Sequence, residues 1–253
     1  VFAMRFVFDV DGTLCFNGLT IDATIVKALE QVKKSGHEII FASARPIRDL
    51  VPVIRNIEYD ALIGGNGSII SKDGKTKVTG SINKSSYQRI RQLIQQYQLD
   101  YIVDDSWNYS AKVSDEQPIY RQLDPSQLAQ NINMITIDQP IKIILLAIPA
   151  QFYPIIYQEL QLDETVSVIT HTQEGNIDIT AKGINKFTTL QNYFSTVEYI
   201  AFGNDNNDVE LLVHAEKSYF IGSEDFANQL SLTSSQVLSK DNNQIAKLIE
   251  KLC

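Results

Sequence analysis

The stretch Arg5-Phe6-Val7-Phe8-Asp9-Val10-Asp11-Gly12-Thr13 constrains the chain more than any other, because an apolar run stops abruptly at two acids one residue apart. A run of β-formers closed by Gly reads as a buried strand that runs into a turn, so Asp9 and Asp11 fall at the strand's carboxyl end. In an open α/β sheet that end is where ligands bind. Two carboxylates held close raise each other's pKa and cost desolvation, so a buried strand has no structural reason to finish this way. A cation should neutralise them, either a divalent metal or a lysine brought in from elsewhere in the chain.

The following segments repeat the pattern. Asp22 offers an N-cap to a helix with an inner stripe of Ile25, Val26, Leu29 and Val32, which Gly36 closes. His37 to Ala42 reads as a second strand, followed at once by Ser43-Ala44-Arg45, and Pro46 opens a helix with Ile47, Leu50, Val51 and Ile54 as its apolar face. Tyr59 to Ile63 is a third strand, ending in Gly64-Gly65-Asn66-Gly67. This β-α-β-α-β alternation predicts right-handed crossovers and a parallel sheet whose strand ends share one edge.

After Ser68 the rhythm changes. Lys72-Asp73-Gly74 marks a hairpin, a helix is predicted over about 85–98, and a second short one opens at Asp124-Pro125. Strands are predicted near Tyr101 to Val103, Trp107 to Lys112, Ile141 to Ile148, Val166 to Ile169 and Ile177 to Thr180, with a helix over Pro154 to Leu160. Loss of the strict alternation predicts an antiparallel sheet with helices on one face. The expected organisation is a Rossmann-like α/β core of residues 1–81 and 181–253 carrying an inserted α+β cap of residues 82–180. The first rhythm then returns, with a helix over Ile184 to Phe194 containing Lys186, a strand over Val197 to Phe202, and Gly203-Asn204-Asp205-Asn206-Asn207-Asp208 at its end. A helix near Val209 to Ala215, a strand at Ser218 to Ile221 and a helix near Asn243 to Leu252 complete the core.

Composition limits the partners. A net charge of -8 without any Lys/Arg block excludes nucleic acid and anionic membrane surfaces as expected partners. No apolar run has the length of a membrane span, no signal peptide precedes the first strand, and two cysteines, Cys15 and Cys253, suit a reducing cytoplasm. The three histidines show no metal-ligand spacing and are read as structural.

Four signals thus converge on one sheet edge: Asp9 and Asp11, then Ser43 with Arg45, then Lys186, then the cluster from Gly203 to Asp208. Their order and spacing resemble the haloacid dehalogenase superfamily. The insert between the second and third of them resembles that of the Cof-type phosphatases. The resemblance implies a Mg²⁺-dependent phosphatase acting on a small-molecule phosphate ester, either a sugar phosphate or a phosphorylated cofactor. Asp9 is then the nucleophile that forms an aspartyl-phosphate, and Asp11 is the acid and base. Ser43, the Ala44 amide and Lys186 hold phosphate oxygens, and Gly12 keeps the turn open for backbone amides. Arg45 either touches substrate or braces the loops, and Asn207 is a phosphate or supporting contact. The metal is expected on Asp9, the Asp11 carbonyl, Asn204 and Asp208. Asn204 departs from the pattern, which normally has Asp there. Asp208 therefore either supplies charge through a water or pairs with Lys186, with Asp205 as an alternative ligand. Cap closure is expected to exclude water and to set specificity, in a monomer or weak homo-oligomer. Two rival readings share these residues: a phosphomutase or phosphotransferase, and a catalytically weak protein that binds a phosphorylated ligand.

Overall fold

The computed structural model describes residues 3–171, 173–194 and 198–253. The chain divides into two compact units, one of Val1–Thr76 with Asn185–Cys253 and the other of Lys77–Ile184. The sequence placed the two crossings at 81/82 and 180/181.

The first unit opens with β1 (Arg5–Phe8), α1 (Ala23–Lys34), β2 (Glu38–Ala42), α2 (Ile47–Ile54), β3 (Ala61–Gly64) and β4 (Ile69–Lys72), and β5 (Lys75–Val78) contains the crossing into the second. The second contains α3 (Lys84–Gln96), β6 (Asp100–Asp104), β7 (Tyr109–Lys112), β8 (Lys142–Leu146), α4 (Tyr153–Gln161), β9 (Val166–His171) and β10 (Asn176–Ala181). The first then resumes with α5 (Lys186–Tyr193), β11 (Ile200–Gly203), α6 (Val209–Val213), β12 (Lys217–Ile221), α7 (Glu224–Gln229), β13 (Gln236–Leu238) and α8 (Asn242–Leu252).

The large sheet runs β13-β12-β11-β1-β2-β3-β4-β5. It is parallel from β13 to β3 and turns antiparallel at β4. The chain leaves β1 toward β2 on one side and returns beside it as β11 on the other, so β1 is the topological switch point. Successive side chains on a strand alternate faces, and here each face has its own chemistry. Val7, Ile40, Ala42, Ile63, Ala201 and Phe220 pack under Phe187 and Leu190 of α5 and Leu211 and Leu212 of α6. Phe8, Phe41, Phe202 and Tyr219 occupy the opposite parity, their rings meeting across neighbouring strands at centroid separations of 4.8–6.2 Å. Two positions beyond Val7, Asp9 therefore falls on the α5 side.

In the second unit the sheet order is β7-β6-β8-β10-β9, antiparallel throughout. Ile143 and Leu145 join Ile90, Leu93 and Ile94 of α3 and Ile156 and Leu160 of α4, while the alternate residues Ile144 and Leu146 pack with Ile102 on the other face. Both helices thus cover one face, as the mixed pattern predicted. The hairpin at Lys72-Asp73-Gly74 forms with positive φ at Asp73 and Gly74, the backbone that a tight primed turn requires.

One expectation needs correction. No helix forms at Asp124-Pro125. Asp124 takes φ 43° and Gln127 φ 52°, and the Asp124 carboxylate accepts from the Leu128 and Ala129 N–H groups. The segment is a side-chain-closed turn, and 3-10 turns form instead at Pro118–Gln122 and Met134–Thr136. The strand predicted from Val197 is β11, and Val197 itself lies outside the described residues. α7 and β13 went unpredicted because each is only a turn or two long.

Candidate active site

β1 delivers the acid pair into the middle of the sheet edge. Phe8 stands opposite Phe41 on one side and Phe202 on the other, and the Asp9 N–H donates to Phe202 O at 2.9 Å. Ser43 and Asn204 each lie two residues past those paired positions, so register alone brings three of the sequence signals to one edge. The fourth, Lys186, is the first residue of α5. Its N-cap Asn185 accepts from the Thr188 N–H at 2.8 Å, and Thr188 Oγ1 accepts from the Asn185 N–H at 3.0 Å. Gly67 lets this helix end approach: it has φ 102°, and a Cβ there would lie 2.2 Å from the Asn185 carbonyl oxygen. Thr189 Oγ1 then donates to Gly67 O at 2.5 Å.

Lys186 Nζ donates to Asp9 Oδ1 and to Asp208 Oδ1, both at 2.7 Å. Asp9, Lys186 and Asp208 are only 4%, 1% and 0% exposed. Burial pushes the Asp9 carboxyl up to about 7, the Asp208 charge adds to this, and Lys186 and Thr13 oppose it. Burial would depress Lys186, but Asp208 and Asp9 outweigh it and hold the ammonium above the ordinary lysine range. One ammonium thus serves two carboxylates, and the trio buries a surplus negative charge.

Asp208 takes the second of the two roles open to it, pairing with Lys186. Its other oxygen accepts from the Asn204 and Asp205 N–H groups at 2.9 and 3.2 Å, so its carboxylate is spent on the lysine and on the loop. Asp205 caps the short 3-10 turn Asn206–Asp208 and accepts from the Asn206 N–H at 2.7 Å. Arg45, 6% exposed, clasps Asp11 with two bonds of 2.7 Å, Nε to Oδ2 and Nη2 to Oδ1, and also donates to Gly18 O at 2.6 Å. It is therefore a brace on Asp11. Asn207 Nδ2 donates to Asn66 Oδ1 at 2.9 Å, and the Asn66 N–H donates to Ser43 O at 3.0 Å. That chain ties the Gly203 loop to the strand end after β2. Ser43 is fully buried and its Oγ accepts from the Arg45 N–H at 3.0 Å.

Gly12 keeps the turn free of a side chain, as expected, and the group that fills the space is Asn204. Its own N–H is bonded to Cys15 O at 2.9 Å. The residue supplies φ 80° and empty space, since a Cβ would lie 2.2 Å from the Asn204 carboxamide. Sequence reasoning also left Thr13 without a role, yet its Oγ1 donates to Asp9 Oδ2 at 2.7 Å. The signal was the glycine before it, because a positive φ turns the chain back over Asp9.

Among the described residues no three His, Cys, Asp or Glu side chains converge as a metal site. The donors at the acid pair are of another kind. The terminal carboxamide atom of Asn204 that faces the pair lies 3.0 Å from Asp11 O, 2.9 Å from Asp9 Oδ2 and 3.1 Å from Thr13 Oγ1. Neighbouring oxygens in an octahedral Mg²⁺ shell with bonds of 2.0–2.1 Å stand about 3 Å apart. With its oxygen inward, Asn204 stands at that spacing from the Asp9 carboxylate and from the Asp11 carbonyl, and oxygens of these three kinds fit a hard divalent cation.

Comparisons with known proteins bear on the family and the fold. The family model of haloacid dehalogenase-like hydrolases matches residues 6–249. The chain belongs to that family. None of the curated protein sequences compared with it matches. Among solved structures, the HAD subclass IIB sugar phosphatase BT4131 is similar at TM-score 0.80 and 18% identity, with 99% of each chain covered. A haloacid dehalogenase-like hydrolase from Bacteroides thetaiotaomicron gives 0.80 and 18% over the whole of both chains. One from B. subtilis gives 0.79 and 16%, covering 99% of this chain and 100% of its own. The fold is thus that of the Cof-type members, a mixed α/β fold with a parallel-rich central sheet. No helix among the described residues is long and apolar enough to cross a membrane.

Proposed function

We propose that this haloacid dehalogenase-like hydrolase is a Mg²⁺-dependent phosphatase that hydrolyses a small phosphorylated metabolite through an aspartyl-phosphate on Asp9. One observation carries the reading: Asp9, at the switch point of the sheet, is held in one orientation by Lys186 on one oxygen and Thr13 on the other, beside a surplus of buried negative charge. A purely structural carboxylate needs no such surplus.

An Asp9 oxygen bonds to phosphorus as the bond from phosphorus to the leaving oxygen breaks, and the Asp11 carboxyl gives its proton to that oxygen. Water then attacks phosphorus, Asp11 takes a proton from it, and the bond to Asp9 breaks to release phosphate. Both Asp11 oxygens are bonded to Arg45, so each proton transfer requires Asp11 to release one of those bonds. Ser43 Oγ, the Ala44 amide and Lys186 are the proposed holders of the non-transferring oxygens. Asp9, the Asp11 carbonyl and Asn204 would hold Mg²⁺, with Asp208 supporting the loop and the lysine. When bound, the cation supplies the positive charge that lets an anionic carboxylate approach an anionic ester. Sugar phosphates head the proposed substrates, since one protein of this fold is described as a sugar phosphatase. Cys15 and Cys253 are both free thiols, which supports a reducing cytoplasm.

Asn204 favours one other reading, a catalytically weak protein that binds a phosphorylated ligand. The test is phosphate release from a panel of metabolite phosphates with Mg²⁺ or chelator, using Asp9→Asn as control. Turnover that requires Mg²⁺ and vanishes in the variant is expected, and undiminished activity in Asp9→Asn would overturn the mechanism. Tight ligand binding without turnover on any ester would establish the other reading, and formation of an isomeric phosphate in place of free phosphate would make the protein a mutase.

A further inference from the structure

The Asn204 carboxamide stands among acceptors: the Asp11 carbonyl at 3.0 Å, Asp9 Oδ2 at 2.9 Å and Thr13 Oγ1 at 3.1 Å. With Oδ1 turned inward, the single donor within reach among the described residues is the Thr13 hydroxyl at 3.1 Å. That hydroxyl has one proton, and its 2.7 Å bond to Asp9 Oδ2 is the shorter claim on it. The inward oxygen is then left facing a carbonyl and a carboxylate. With the amide turned over, Nδ2 faces the same three acceptors with two protons to share among them, and the clash with the carbonyl and carboxylate is relieved. The amide torsion is a soft two-fold one, so both orientations are reachable without disturbing the backbone. Gly12 provides the room for this close approach, because any Cβ there would collide with the carboxamide.

We infer that Asn204 is a two-state stopper for the metal site: without metal its NH₂ takes the place of the cation between Asp9 and Asp11, and with metal it turns over to present Oδ1 as a ligand. This rests on the proposed reading that a divalent cation binds at these residues. By turning over, an amide can offer either a donor or a metal-ligating oxygen at one point. A carboxylate at 204 offers oxygen alone, and without a cation it would add a further negative charge beside Asp9. The exchange weakens metal binding, since the amide bonds are given up and no charge is gained. It also leaves the metal-free loop bonded and ordered.

The test reads the amide itself. In ¹⁵N-labelled metal-free protein, the Asn204 NH₂ resonances, assigned by their loss in Asn204→Asp, are expected to exchange slowly with solvent and to shift and lose protection as MgCl₂ is added. Metal-free Asn204→Asp is expected to melt below wild type, and calorimetry is expected to show it binding Mg²⁺ about tenfold or more tightly, as added ligand charge predicts. If Mg²⁺ binds but leaves the Asn204 amide unchanged, the stopper is refuted and the phosphatase reading survives. If neither protein binds Mg²⁺, both fall. Should Asn204→Asp fail to fold, the wild-type titration still decides.

Discussion

Replacing Lys186 by Met puts an unbranched apolar side chain in its place and removes the charge together with its two hydrogen bonds. Lys186 is almost fully buried, with its ammonium 2.7 Å from both Asp9 and Asp208, which are buried as well. With Asp9 ionised, the native trio holds two negative charges and one positive. The variant leaves two carboxylates facing each other across the space that the ammonium filled. Removing one partner of a buried pair costs about 3–5 kcal/mol. At about 2–4 °C per kcal/mol for a chain of this size, Lys186→Met should melt roughly 10 °C below wild type near pH 7 with chelator present. The stranded carboxylates can escape by taking up a proton, so their folded pKa values rise. The deficit should therefore grow as pH rises and shrink as pH falls toward 5. Adding Asp208→Asn to this background deletes one stranded charge, so the double variant should melt above Lys186→Met, even though Asp208→Asn alone melts below wild type. Scanning calorimetry of the four proteins measures all of this. Lys186→Met melting within about 2 °C of wild type, less than 1 kcal/mol on this scale, would refute the claim that the trio is an electrostatic unit.

Two further outcomes follow from other contacts. Arg45→Lys replaces a two-pronged clasp on Asp11 by a single ammonium, so Asp11 loses its orientation while substrate contacts remain. Steady-state kinetics should show kcat falling on the order of 10²-fold with KM little changed, whereas a rise in KM alone would place Arg45 on the substrate. In the second unit, Asp178 is buried 3.3 Å from Lys142 Nζ and 3.8 Å from His171 Nε2. Burial would raise its carboxyl, but Lys142 and His171 together outweigh it and hold it at about 2, below the ordinary 3.8. A depressed carboxylate stabilises the fold above its unfolded pKa and loses that contribution as pH falls through its folded one. Wild type should thus lose on the order of 2 kcal/mol relative to Asp178→Asn between about pH 4 and pH 2. A gap between the two proteins that stays constant over that range, measured by denaturant unfolding, would contradict the pairing.

Much of this architecture was legible in the chain. β1, β2, β3 and β11 are apolar runs bounded by Gly or Pro, and α1 carries its Asp22 cap and its stripe in plain view. The sheet edge with its acids, hydroxyl, lysine and amide cluster followed from counting strand ends. The segment around Asp124 misled because Asp-Pro is equally a helix start and a turn. The choice was made by the Leu128 and Ala129 N–H groups folding back on the Asp124 carboxylate. Gly12 was rightly read as a turn, but its value lies in the space that it leaves for Asn204, a residue far along the chain.

The opening stretch shows where the division falls. By itself the sequence determined that Asp9 and Asp11 end a buried strand and that a cation must meet them, because strand, turn and charge are properties of neighbouring residues. Only the tertiary structure decided how the two acids differ. Asp9 took Lys186 from 177 residues away, and Asp11 took Arg45 from 34 residues away. Pairings at that range are set by which helix end packs under which strand, a matter of core packing that no local pattern encodes.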